Sequence, residues 1–346
     1  MLDDINILKQ RDPNGVLDKA AELYKSVAWE PEVLSAAYDG RSIERVVVTG
    51  MGGSALAARI VGTLTRPWLK TSYEISQDYE LPGSIGPSTL VIAISHSGNT
   101  EETLAAYDQA MKKECLVAVI TSGGQLLERA EATGVTRIVV PSGSQPRMST
   151  NYHLKAILRL LMNYQLSGSH LYDEMTDSAT WLRDASLSWH HEVPVHENYA
   201  KQIALMSVGK TPVFYSGPLM AALAYKWKIS WNENAKNVAF CGQYPEFNHN
   251  EFIGWVSHPV EKPFAVVDIW SDLERPRISE RMELSDKLLS GKRPRAIRIY
   301  IQGDTLLRQF LLGLILADYA SIFVAILNNV DPEKVELIER LKSELS

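Results

Sequence analysis

Two hydrophobic periods alternate along the chain. Short aliphatic, β-branched runs of four to eight residues are followed by polar or Gly-rich turns. Stretches with apolar residues at helical spacing come next. The run RVVVT at 45–49 meets Gly50-Met51-Gly52-Gly53-Ser54, and a helix pattern follows over 55–64. Residues 71–76, 89–94, 115–121 and 136–140 read as further strands, with helices over 100–113 and 126–132. Residues 1–38 read as helical, broken at Asp12-Pro13-Asn14-Gly15. A helix over 151–165 and a polar connecting segment over 166–198 lead to a second series. There, strands at 211–215, 264–269 and 296–301 alternate with a helix through Trp227 and a long apolar helix over 306–327. This rhythm predicts an α/β fold with parallel sheets flanked by helices on both faces.

The two series share a layout. RVVVTGMGGSALAARIVG parallels VFYSGPLMAALAYKWK, and TRIVVPSGSQPRMSTNYHLKAILRLL parallels AIRIYIQGDTLLRQFLLGLILAD. A repeat of this length implies two similar domains related by duplication. The expected division is an N-terminal domain with a leading helix over 1–150, a connecting helical segment over 151–198, and a C-terminal domain over 199–346. Ligands of such sheets bind at the carboxyl ends of the strands, and a crevice there or between the two domains is the expected site.

Composition narrows the class. The 346 residues are 45% hydrophobic and 22% charged, a soluble globular balance with length for two domains. A net charge of −6 argues against a general nucleic-acid binder. The basic run Lys292-Arg293-Pro294-Arg295 is short and reads as a loop before a strand. Cys115 and Cys241 lie far apart and support no disulfide framework, which points to a reducing compartment. The opening MLDDINILKQRDPNG lacks the apolar core of a secretory signal. Arg308, Gln309 and Asp318 interrupt the long apolar stretch, so it reads as a buried helix rather than a membrane span. A cytoplasmic protein with no nucleic-acid or membrane partner is expected.

Five stretches are candidates for chemistry. GMGGSA lets the backbone approach a ligand closely, or only packs a helix tightly on its strand. It lacks the third glycine of G-x-G-x-x-G, which disfavours a dinucleotide. In SHSGNTEET, Ser95, Ser97 and Thr100 offer hydroxyls where a strand runs into a helix, a place suited to phosphate. Asn99 with Glu102 reads as a capping box, and Glu101 and Glu102 could answer the helix dipole with no ligand present. Arg147, in PSGSQPRMST, can hold an anion or a developing oxyanion, or form a surface salt bridge. WNENAKNVAFCGQYPEFNHNEFIGW places Glu233, Glu246, His249 and Glu251 among aromatics; Phe247 and Trp255 imply partial burial. A carboxylate against apolar walls has a raised pKa and can act as a general base, while a network of satisfied polar groups is the alternative. HHEVPVHE, with His190, His191 and His196, lacks H-E-x-x-H register, so no metal site is expected there.

Gly50-Met51-Gly52-Gly53-Ser54, Ser95-His96-Ser97-Gly98-Asn99-Thr100-Glu101-Glu102 and Gln145-Pro146-Arg147 resemble the first half of a sugar isomerase (SIS) domain protein. Asn232-Glu233-Asn234-Ala235-Lys236, Asn248-His249-Asn250-Glu251 and the tail from Val330-Asp331-Pro332 to Lys342 resemble its second half. Together, over nearly the whole chain and in order, they resemble the bifunctional phosphoglucose/phosphomannose isomerase family.

The resemblance implies two SIS domains and an aldose–ketose isomerase acting through a cis-enediol(ate). Ser54, Ser95, Ser97 and Thr100, with the backbone at Gly52 and Gly53, would hold the sugar 6-phosphate. Glu233 would move the proton between C1 and C2, and Arg147 would stabilise the negative charge. His249 and Lys342 would open the ring, in a homodimer whose His comes from the neighbouring subunit. No metal or organic cofactor is implied. The departures from the family pattern are His96 between the serines, Met148-Ser149 after Gln-Pro-Arg, and Phe247 before Asn-His-Asn. They bear on substrate preference and remove no proposed catalytic group. The rival readings are a non-catalytic sugar-phosphate sensor on the same domains and a SIS isomerase for another sugar phosphate.

Overall fold

All eight strands expected from the aliphatic runs form, and a ninth joins them. The computed structural model describes residues 1–34, 38–143, 145–257 and 262–345. Three short helices come first: α1 (Ile5–Arg11), α2 (Val16–Ala21) and α3 (Lys25–Ala28). Asp12 makes the expected break. Its carboxylate accepts from Val16 N and Leu17 N at 2.8 Å each and starts α2. The expected helix to residue 38 ends instead at Ala28, and residues 35–37 of that expectation lie outside the described residues.

The chain divides into two compact units, Leu23–Trp181 and Met1–Glu22 with Leu182–Ser346. After α3, the first unit contains β1 (Arg45–Thr49), α4 (Gly52–Thr65), β2 (Ser72–Ser76), β3 (Thr89–Ser95) and α5 (Glu101–Lys112). It continues with β4 (Leu116–Thr121), α6 (Gly124–Thr133), β5 (Thr136–Val139) and α7 (Thr150–Asn163), and the boundary falls within α8 (His170–Ser186). Its sheet is parallel throughout, in the order β2-β1-β3-β4-β5. β3 is buried along its whole length, as a central strand covered on both faces must be. The connections from β1 and β3 leave in opposite directions, so the switch point lies between those two strands.

The second unit continues with α9 (Tyr199–Ser207), β6 (Thr211–Ser216), α10 (Ala221–Glu233), β7 (Phe240–Gln243), α11 (Glu251–Gly254) and β8 (Phe264–Trp270). It closes with α12 (Pro276–Leu288), β9 (Ile297–Tyr300), α13 (Leu306–Asn328) and α14 (Glu336–Leu345). The sheet order β7-β6-β8-β9 repeats the first sheet without its last strand. Of the paired sequence stretches, β1–α4 and β6–α10 occupy equivalent places in the two sheets; β5–α7 and β9–α13 do not, since β9 stands where β4 does, and each is only the last strand of its sheet with the helix after it. By length and composition α13 could cross a membrane, yet nearly all its side chains are buried inside the unit, as a core helix.

These units differ from the expected division. α7 buries Leu154, Ile157, Leu158 and Leu161 in the first unit rather than acting as a connector. The first 22 residues belong to the second, tied there by Asp3 to Lys201 Nζ (2.8 Å) and by Arg11 NH1 to Ile326 O (2.6 Å). Arg293, read as part of a basic loop, is buried, with its guanidinium over the rings of Phe247 (5.7 Å) and Trp255 (5.9 Å).

Candidate functional site

Three loops converge at the carboxyl end of the first sheet, on its switch point. The chain approaches so closely there that only glycine fits. A Cβ on Gly50 would lie 2.7 Å from Ile94 O, and one on Gly53 would lie 2.9 Å from Pro146 O and 3.2 Å from Arg147 Cα. GMGGSA therefore packs tightly on its neighbours, and that packing seats the Gln-Pro-Arg turn against the first turn of α4. Gly98 adopts φ +72°, and a Cβ there would fall 1.7 Å from Gly123 O, so the serine loop lies directly on the loop after β4.

The serine loop is internally braced. Ser95 Oγ lies 2.8 Å from Thr100 Oγ1 and accepts from Gly98 N at 3.1 Å. Ser97 Oγ accepts from Asn99 N at 3.3 Å, and Ser97 is exposed whereas Ser95 is buried. The expected capping box does not form. Thr100 is the N-cap of α5, its side chain making no capping bond to the helix, and Asn99 Oδ1 accepts from Gln125 N in the first turn of α6 at 3.1 Å. With φ positive at Gly98 the loop turns Asn99 away from its own helix and onto the next one. The N-termini of both α4 and α5 thus lack a side-chain cap, and both sit at the switch point. Their N–H groups and dipoles suit an anion. Ser54 is buried in the first turn of α4, while Gly52, at φ +50°, opens it.

Arg147 sits in a 3₁₀ turn, Pro146–Met148, and is 1% exposed, so the surface salt bridge is not its role. Its NH1 donates to Gln145 Oε1 at 3.3 Å. A buried guanidinium beside these helix starts is a fixed positive charge with oriented donors.

In the second unit the equivalent crevice is already filled. Glu274 accepts from Leu219 N and, through its other oxygen, from Arg275 N, both at 3.0 Å. A Cβ on Gly217 would lie 2.2 Å from that carboxylate. The chain thus places its own carboxylate against the helix N-terminus there.

Glu233 is the last residue of α10 and half-buried. Its neighbours fix it. Asn232 Oδ1 accepts from Ala239 N (2.9 Å), Asn234 Nδ2 donates to Ser321 Oγ of α13 (2.8 Å), and Lys236 Nζ donates to Glu233 O (2.9 Å) and to Asp331 O. The Asn-Glu-Asn-Ala-Lys run is thus a mount for one carboxylate, and it reaches the Val-Asp-Pro tail. Asn248-His249-Asn250 works similarly. Asn248 Nδ2 donates to Ser285 Oγ of α12 (2.8 Å), and Asn250 caps α11 by accepting from Glu251 N (2.6 Å). Phe247 and Trp255 are buried as expected, but His249 is exposed, because successive side chains of a 3₁₀ turn point in different directions. Lys342 lies on α14 and is exposed.

The structure therefore gathers Gly52, Gly53, Ser54, Ser95, Ser97, Thr100 and Arg147 at one end of the first sheet. Glu233, His249 and Lys342 lie on separate elements of the second unit. Sequence reasoning missed Glu274, for which a carboxylate two residues ahead of a helix-opening proline was the only signal, and His153, which follows Arg147 on α7. In the His-rich segment, His190 and His191 meet Asp18 of α2, with one ligand atom of each within 4.8 Å of the others. Spacing within HHEVPVHE could not reveal Asp18.

Comparison with known proteins adds a lineage to this geometry. Residues 41–156 match the SIS domain, and residues 196–345 match a bacterial phospho-glucose isomerase C-terminal SIS domain. A bifunctional phosphoglucose/phosphomannose isomerase of Caldicellulosiruptor bescii is 32% identical over 336 residues, covering 94% of this chain and 99% of that protein. Another from Aquifex aeolicus is 33% identical over 327 residues, 93% of this chain and 95% of that one. The crystal structure of a glucose-6-phosphate isomerase like protein from Thermus thermophilus has the same fold, with a TM-score of 0.65 at 18% identity over 99% of this chain and 98% of that one.

Proposed function

Because the chain belongs to the bifunctional phosphoglucose/phosphomannose isomerase family, we propose that it interconverts glucose 6-phosphate and mannose 6-phosphate with fructose 6-phosphate through a cis-enediol(ate). The observation that carries this reading is the serine loop with two uncapped helix N-termini at one switch point, in a chain that fills its duplicate crevice with Glu274. Ser54, Ser95, Ser97 and Thr100 hold the phosphate, and its binding energy positions the reacting carbons. Glu233 takes the proton from C2 of the open-chain aldose and returns it to C1. Arg147 stabilises the charge that develops on oxygen meanwhile. His249 and Lys342 open the ring. Rotation about C2–C3 after opening admits both C2 epimers.

The working form in this reading is a cytoplasmic homodimer whose subunits share the site, with His249 contributed by the neighbour. Leu337, Leu341 and Leu345 support it: α14 exposes all three along one stripe beside Lys342, an apolar surface that a second copy would bury.

The test is fructose 6-phosphate formation from each sugar phosphate, with chelator present and in deuterated water. Turnover of both, with solvent deuterium entering the product, is the expected result. Glu233→Gln should lower kcat roughly 10²- to 10⁴-fold while sugar phosphate still binds. Tight binding of both substrates without turnover would establish the sensor instead. Turnover only of an amino-sugar or other sugar phosphate would keep the chemistry and change the substrate.

A further inference from the structure

His96 occupies the middle of the serine loop, yet its ring turns inward. It is 7% exposed, and its Nδ1 lies 3.3 Å from Nε2 of His153, which is fully buried on α7. The rings meet edge to face, with centroids 5.3 Å apart. The backbone of His96 is held as well, its carbonyl accepting from Ser122 N at 3.0 Å and Ser122 Oγ at 2.6 Å. His153 stands on the first turns of the helix that leaves the Gln-Pro-Arg turn, and its own N–H donates to Ser149 O. The two rings therefore tie the serine loop to α7, the helix that follows the 3₁₀ turn of Arg147.

We propose that His153 is a positioning residue for the phosphate site: through His96 it holds the serine loop in its anion-binding shape. The proposal rests on the assignment of that loop to the substrate phosphate. Burial keeps His153 neutral by pushing its pKa down to about 3, with the electrostatic effect of His96 adding to it, so its ring carries a single N–H. His153 Nδ1 has no hydrogen-bond partner among the described residues. Leaving an acceptor lone pair there costs less than orphaning a donor, which assigns the proton to Nε2 and makes His153 the donor to His96 Nδ1. Both rings are buried, which places the pair to act on binding and not on proton transfer.

The experiment measures kcat, KM for glucose 6-phosphate and the inhibition constant of inorganic phosphate in His153→Phe, His153→Gln, His96→Phe and the double Phe variant, beside Ser97→Ala. His153→Phe should raise KM and the phosphate inhibition constant together by about fivefold to tenfold, the loss of one buried hydrogen bond, with kcat within about twofold. Gln, whose amide nitrogen reaches the Nε2 position, should restore most of the affinity. The double variant should be little worse than either single one, since both remove the same bond. His96→Phe tests the pair from the loop side if His153→Phe does not fold. Unchanged phosphate inhibition in the His153 and His96 variants, or additive losses in the double variant, would overturn the proposal while a raised constant in Ser97→Ala leaves the phosphate assignment standing. An unchanged constant in Ser97→Ala would instead remove that assignment, and the proposal with it.

Discussion

Asp268 shows what one side chain can do to the whole stability curve. It lies in β8, fully buried, and neither carboxyl oxygen has a hydrogen-bond partner among the described residues. Burial raises its pKa from 3.8 to about 7, against the pull of Arg293. Between about pH 4 and 7 the unfolded chain has released a proton that the folded one keeps, so stability falls as pH rises through that window. Asp268→Asn should match the native protein near pH 4 and exceed it at pH 8, by about 2–4 kcal/mol in denaturant titrations. His153 works in the opposite sense. Its depressed pKa makes stability fall as pH drops below the ordinary 6.5 of histidine, and His153→Gln should flatten that acid limb. Ser97 differs from both because it is exposed and carries no structural burden beyond the loop. Its replacement by Ala should leave the melting temperature within a degree or two and weaken phosphate binding severalfold, as read by calorimetry.

At the scale of elements, the site depends on how helices are seated. Gly98 cannot take a side chain without moving the loop after β4, and its φ is left-handed besides. Gly98→Ala should therefore cost more than about 2 kcal/mol of stability and abolish phosphate inhibition. α10, which ends at Glu233, is locked to α13 by Lys226 Nζ bound to Asp318 Oδ1 at 2.6 Å, both buried, and by Ser230 Oγ on the same oxygen at 3.2 Å. Lys226→Met alone should destabilise by roughly 3–5 kcal/mol, because Asp318 keeps a buried charge; adding Asp318→Leu should recover much of that loss in the same unfolding assay. The strands and long helices were legible because their periods are strong. β7 was hidden because FCGQ is an exposed edge with no aliphatic run. α12 was hidden because only Ile278, Met282 and Ser285 of its charged sequence are buried.

At the scale of the molecule, duplication explains why one chain carries two parallel sheets whose first four strands share one order. The first copy carries the serine loop, and the second has Glu274 accepting from Leu219 N at the corresponding helix start. The proposed dimer is testable at this scale. Leu341→Asp, on the exposed stripe of α14, should yield a monomer by light scattering with its secondary structure intact. Loss of turnover in that monomer, together with turnover recovered on mixing the dimer-competent Glu233→Gln and His249→Ala variants, would show that subunits complete each other's sites.

What the sequence determined by itself was the alternation of strands and helices, the duplication, and the polar and glycine-rich loops that end the strands. Each is written in local period or in a short run of residues, and local terms suffice to specify it. Only the tertiary structure decided which neighbour each polar group serves. Asn99 reads as the cap of α5 and caps α6; the first 22 residues read as a leader of the first domain and pack into the second unit. Arg147 was free to be a surface ion pair and is buried, while His249 was expected to be sheltered and is exposed. His96 gains its role from His153, 57 residues away. Burial and hydrogen-bond partners are set by contacts between distant segments, and no local pattern encodes them.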